Sequence, residues 1–138
     1  MNMKSEDIVF DENLEFYTEF LYPNLEVCVS LSDSLDAYEE VLSLSYRKKI
    51  ANFISNSDLW YEKALDAAKI KAHGDGFSCI KDEDIVLMNI FVLYEQTSDE
   101  LYGLGFRFNF EVEHGCGIKI NTKNFEITEV GDADVAFC

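Results

Sequence analysis

The residues best suited to chemistry lie in one short segment, Glu113-His114-Gly115-Cys116-Gly117. A carboxylate beside an imidazole is a pair that general acid–base catalysis uses, and a histidine two residues before a cysteine can begin a zinc site. A zinc site needs three or four ligands, however. The remaining histidine and cysteines show no ligand-pair spacing: His73, Cys28, Cys79 and Cys138. We therefore predict no catalytic residues, no metal and no cofactor, and expect the glycines to form a tight turn or bulge between two strands.

Two further glycine-containing segments also lack a complete site. Gly103 and Gly105 alternate within a strand pattern, and no helix N-terminus follows on which a phosphate would bind. They favour the close approach of some other group to a sheet. Gly131-Asp132-Ala133-Asp134 offers too few ligands for a calcium loop and predicts a turn or an edge.

The first third of the chain predicts a β-hairpin. Apolar residues alternate with polar ones over residues 14–21, Pro23-Asn24 supplies a turn, and alternation resumes over residues 25–31. One face of this hairpin is apolar and the other is largely acidic.

The middle of the chain predicts helices. Apolar residues recur at three- and four-residue steps over residues 34–54, as one helix or as two with a break near residues 43–45. A clearer helix follows, with Asn56 or Ser57 as its N-cap and Gly74 as its C-terminal left-handed residue.

The last half of the chain returns to strands. Residues 85–94 are nearly all apolar, as in a central strand covered on both faces, although a buried helix has the same pattern. Residues 103–112 alternate strictly between large apolar and small or polar side chains. Residues 118–121, a turn at 122–124 and a last strand beginning with Phe125 complete an antiparallel meander.

These elements predict a single α+β domain over residues 1–138, an antiparallel β-sheet with two or three helices packed on one face. The helices should cover the side of Phe106, Phe108 and Phe110, because leaving a large apolar side chain in water costs about 1.5 to 3 kcal/mol. The opposite face is then open and acidic. We predict that it binds a partner through seven residues: Glu15, Tyr17, Glu19, Glu26, Arg107, Asn109 and Glu111.

The net charge of −16 is unevenly distributed along the chain. Residues 1–44 carry −10 and residues 75–100 carry −6, whereas residues 45–73 carry +3. A field of this sign attracts basic proteins and repels nucleic acid and anionic membranes, so neither of the latter is an expected partner. The scattered cysteines and the lack of an apolar signal segment favour a cytoplasmic location with reduced thiols.

Residues 55–138 resemble a bacterial domain family with relatives among the immunity proteins of polymorphic toxin and contact-dependent growth inhibition systems. The resemblance lies in three segments: the helix with Trp60, Tyr61, Ala64, Leu65, Asp66 and Ala67, the Glu113-His114-Gly115-x-Gly117-Ile118 hairpin, and the tail from Gly131 to Ala136. It implies a non-enzymatic protein that binds and neutralises a cognate toxin, commonly a nuclease with a basic cleft. The E-H-G segment has no established catalytic role to transfer.

Two alternatives to an immunity protein remain. One is a small enzyme that uses Glu113 and His114, and the other is a housekeeping interaction module whose acidity serves solubility. An exposed Tyr17 between Glu15 and Glu19 favours a binding surface, because solubility does not require an exposed tyrosine.

Overall fold

The computed structural model describes residues 4–9, 15–20, 25–31, 44–92 and 101–136. The strands are β1 (Glu15–Phe20), β2 (Leu25–Leu31), β3 (Ile85–Val92), β4 (Leu101–Phe108), β5 (Glu111–Asn121) and β6 (Ile127–Gly131). The α-helices are α1 (Leu44–Ser55) and α2 (Ser57–Gly74). Short 3-10 helices span Ser5–Asp7, Asp82–Asp84 and Ala133–Ala136.

The six strands form one sheet in sequence order, from β1 at one edge to β6 at the other. Neighbouring strands are antiparallel except for β2 and β3, which are parallel. The parallel pair follows from the connection, because α1 and α2 lie between these strands in the chain and return it to the starting end of the sheet. The predicted α+β fold is confirmed, with one parallel pair in a mostly antiparallel sheet.

The strand pairing of the predicted N-terminal hairpin is confirmed, and its predicted turn at Pro23-Asn24 lies outside the described residues. The predicted meander needs three corrections. Its last strand begins at Ile127 rather than at Phe125, whose φ is 57°. The strand expected over residues 103–112 ends at Phe108, and β5 runs through the segment expected to be a turn. The aromatic pattern continues past the strand end because the ring of Phe110 stacks on Phe108 and packs against Phe77, with centroid distances of 5.0 and 4.8 Å. Gly115, with φ of 61°, lies at a break in the β4–β5 register and forms a bulge.

The boundaries of α2 agree with the sequence prediction, but its capping residues do not. Asn56 precedes the helix without capping it, because its Nδ2 donates to the carbonyl and side-chain oxygens of Asn52 at 2.8 and 2.9 Å. The left-handed residue after α2 is Gly76, with φ of 98°, rather than Gly74. In the predicted helix over 34–54, the described part begins at Leu44, and residues 34–43 lie outside the described part of the chain.

Both helices pack on one face of the sheet, called the inner face from here on. Trp60 of α2 stacks on Phe53 of α1 at 4.5 Å, and Phe53 meets the ring of Tyr102 edge-on at 4.8 Å. Trp60 Nε1 also donates to the Phe53 carbonyl at 2.8 Å, so the indole is satisfied while fully buried. Phe106 and Phe108 are buried on the same face, as predicted. Neither helix has the length and apolar character needed to cross a membrane.

Candidate functional site

The face of the sheet opposite the helices, called the outer face, carries the predicted acidic residues of β1 and β2. Phe16, Val27 and Val29 are buried, while the residues that alternate with them on β1 point outward. Tyr17 is 62% exposed. The structure brings together five of the seven predicted binding residues on this face: Glu15, Tyr17, Glu19, Glu26 and Arg107.

Glu19 and Glu26 are directly opposite each other in the β1–β2 register. Both side chains are exposed, and neither carboxylate forms an ion pair within the described part of the chain. Like charges directly opposite each other destabilise an antiparallel pair. The repulsion between these two carboxylates therefore makes a small unfavourable contribution to the stability of the fold.

The thiol of Cys28 lies at the middle of this acidic hairpin. Its Sγ donates to Glu15 Oε2 at 3.1 Å and lies 3.6 Å from Ser30 Oγ. Burial raises the pKa of this thiol, and the neighbouring Glu15 carboxylate raises it further. Cys28 is thus a protonated hydrogen-bond donor that positions Glu15, rather than a reactive thiolate.

A β-bulge in β3 adds two residues to the outer face that the sequence did not identify. Leu87 and Ile90 are both fully buried, although regular alternation would place them on opposite faces. The register shift between Leu87 and Asn89 restores the alternation, so Met88 and Asn89 are consecutive residues on the outer face. The polar Asn89 within the apolar run was the only signal in the sequence.

Asn109 and Glu111 lie at the β4–β5 turn rather than on the outer face. The side-chain nitrogen of Asn109 donates to the Glu83 carbonyl at 3.1 Å, and its backbone nitrogen donates to the Asp84 carbonyl at 2.9 Å. These contacts tie the turn to the 3-10 helix before β3. The prediction that both residues share a surface with the acidic hairpin failed because the strand ends at Phe108, four residues earlier than its alternation suggested.

Glu111 organises the segment that first suggested chemistry. Its Oε1 accepts hydrogen bonds from the backbone nitrogens of Glu113 and His114, at 2.7 and 3.0 Å, and lies 3.3 Å from His114 Nδ1. Burial acts to raise the pKa of Glu111, but these backbone hydrogen bonds outweigh it and lower the pKa. The carboxylate that contacts the histidine is therefore Glu111, and not the adjacent Glu113.

Glu111, Glu113 and His114 bring one potential metal-ligand atom each within 4.8 Å of one another. The oxygen of Glu111 already accepts two backbone hydrogen bonds, and the other two side chains are exposed. Cys116 does not join this group. It is buried beneath α2, where burial raises the pKa of its thiol to about 12. The hydrogen bonds of Glu111 show that it stabilises the backbone at the start of β5, whichever other ligands this group could offer.

The C-terminal 3-10 helix covers the outer face over β4 and β5. A Cβ placed on Gly103 would lie 1.7 Å from the Ala136 carbonyl oxygen, and one on Gly117 would lie 2.5 Å from that of Asp132. These two glycines permit the close approach that the sequence predicted at Gly103. Lys71 of α2 holds the start of this segment, because its Nζ lies 3.0 Å from Asp132 Oδ1.

The surface available for a partner is therefore the part of the outer face over β1 to β3 and the Arg107 end of β4. Comparison with family models, with curated proteins and with solved structures gave no match to this chain.

Proposed function

We propose that this protein binds a basic protein through the acidic outer face of its N-terminal hairpin, and that it acts as an immunity protein which neutralises a toxin. The observation that carries the proposal is the pairing of Glu19 with Glu26. Folding gains nothing from two carboxylates placed opposite each other, whereas a cationic partner gains from both.

The proposed target is a nuclease-type toxin domain. A nuclease displays lysine or arginine where phosphates bind, so a surface with clustered carboxylates can occupy the same cleft. Tyr17 adds a large, exposed contact beside Glu15 and Glu19, and tyrosine is enriched in protein interfaces. The resemblance of residues 55–138 to immunity proteins supports the same class of function. The cytoplasm is the proposed location, since an intracellular nuclease must be inhibited there.

The test begins with a search of the genes beside this one for a nuclease-type toxin domain, which is then purified as the partner. Association is followed by stopped flow at low and at physiological salt, together with inhibition of the toxin's nuclease activity. Electrostatic steering predicts a steep fall in the on-rate as salt increases. The double variant Glu19→Gln/Glu26→Gln should associate about tenfold more slowly at low salt and lose most of its salt dependence.

The matched control is Glu113→Gln/Glu126→Gln. It removes the same charge from exposed positions away from the outer face of the hairpin. We expect the control to associate and inhibit as the parent does. Equal on-rates for the two double variants would refute the hairpin as the docking surface, and loss of inhibition in the control would favour the alternative that relies on Glu113.

A further inference from the structure

We infer that the partner segment docking on the outer face is amphipathic as well as basic, and that Met88 is the apolar contact that selects it. This inference rests on the proposed function, because it places the partner's cations against Glu19 and Glu26. The surface involved, called the bulge surface, consists of Tyr17, Cys28, Met88 and Asn89.

The bulge surface crosses three strands in one row. Tyr17 is opposite Cys28, and Cys28 is opposite Asn89. Neighbouring strands are about 4.8 Å apart, so Tyr17 and Asn89 are separated by about 10 Å, with only the small Cys28 side chain between them. One extended segment or one helix of a partner can cover this span.

Apolar groups are exposed at both ends of this span. Tyr17 is 62% exposed and Met88 is 36% exposed. Tyrosine and methionine are both enriched at protein interfaces, and the unbranched methionine adapts its shape to the group that it contacts.

The bulge surface ends at Gly105 on β4. This glycine is buried, and a Cβ on it would lie 3.5 Å from both Asn89 Cβ and Phe91 Cε2. Met88 is exposed on the β3 side of these contacts, where an apolar side chain of the partner can reach it.

Arg107 limits how far a cationic segment can extend. It is exposed on β4 opposite Val86, one outward position before Met88 on β3. The outer face is thus negative over the hairpin and positive at this end. A segment with a cation at every outward position would bring one of them towards Arg107, whereas a segment that alternates basic and apolar side chains need not.

Two synthetic peptides test the inference with the full chain. In one, lysine alternates with leucine, and in the other lysine alternates with serine, so that they have the same length and charge. Affinities are measured by NMR titration of the isotope-labelled protein, with the shifted amides mapped on the structure. We expect the lysine–leucine peptide to bind about fivefold more tightly or better and to shift Met88 and its neighbours.

The selecting variant is Met88→Gln, which keeps the side-chain length but removes its apolar character. It should bring the two affinities to within about twofold of each other. Leu59→Gln is the control, because Leu59 is 53% exposed on α2, away from the outer face, and this variant should keep the parent's preference. A thermal melt of each variant checks that the fold is retained.

The remaining outcomes separate the two proposals. Equal binding of both peptides by the parent, or an unchanged preference in Met88→Gln, overturns the role of Met88 and leaves the charge-based docking intact. Binding of neither peptide, or affinities insensitive to Glu19→Gln/Glu26→Gln, overturns docking of a basic segment on this face altogether.

Discussion

The carbonyl oxygen of Ala136 occupies the place where a side chain on Gly103 would begin. A Cβ at Gly103 would lie 1.7 Å from that oxygen and 2.6 Å from the carbonyl carbon of the same residue. At Gly105, two residues further along β4, the contacts that a Cβ would make are at 3.5 Å. The two glycines look alike in the sequence but have different roles, because the C-terminal 3-10 helix crosses the sheet over only one of them.

The first prediction is that Gly103→Ala is destabilising and Gly105→Ala is not. The added methyl at residue 103 must displace backbone, which costs about 2 kcal/mol, while at residue 105 it meets ordinary van der Waals contacts and changes stability by less than about 0.5 kcal/mol. Urea unfolding measures both values. Faster amide exchange at Val135 and Ala136 in Gly103→Ala would identify the displaced segment, and equal unfolding midpoints for the two variants would contradict the prediction.

The second prediction concerns the repulsion between Glu19 and Glu26. Glu19→Lys replaces a like-charge cross-strand pair with an opposite-charge pair, so it should stabilise the protein by about 0.2 to 1 kcal/mol. The same variant should bind the basic partner more weakly, since it removes one of the paired carboxylates. Chemical denaturation and the on-rate provide the two measurements.

The control for this charge reversal is Glu126→Lys, which makes the same change at an exposed position between β5 and β6. It should leave both stability and binding near the parent's values. A Glu19→Lys variant less stable than the parent would show that the pair is not repulsive in the folded state.

The third prediction separates the roles of Glu111 and His114. Glu111→Ala removes the acceptor for two backbone nitrogens and should lower the unfolding temperature of the protein. His114→Ala removes a side chain that is 62% exposed, keeps the backbone donor, and should cost less than about 0.5 kcal/mol. Thermal unfolding compares the two, and a His114→Ala variant that is the less stable would assign the bracing role to the imidazole.

The fourth prediction is a pH dependence that depends on Glu111. Because the pKa of this carboxyl is lowered in the folded protein, its ionised form stabilises the fold above the unfolded pKa of about 4.3, and this stabilisation is lost as the pH falls through the lower folded value. The difference in unfolding free energy between the parent and Glu111→Gln should therefore shrink below about pH 4.3. A difference that stays constant from neutral pH to about pH 3 would show that the charge makes no contribution.

The sequence by itself determined the elements and the faces of the hairpin. Period-two alternation assigns residues to the two faces of a strand whatever the strand pairs with, so Glu15, Tyr17, Glu19 and Glu26 were placed together correctly. The helical spacing around Trp60 likewise identified α2, and the large apolar residues of β4 identified the face that the helices cover. These features depend on local backbone geometry and on the need to bury apolar groups.

Only the tertiary structure decided where the strands break and what lies over them. The bulge at Met88, the turn at Asn109 and the use of Glu111 as an acceptor for backbone nitrogens depend on register with neighbouring strands. The contact of Ala136 with Gly103 joins residues more than thirty positions apart. The alternation of apolar and polar residues predicts which side chains are buried, but it does not predict which distant segment of the chain buries them. That segment determines which part of the outer face remains available to a partner.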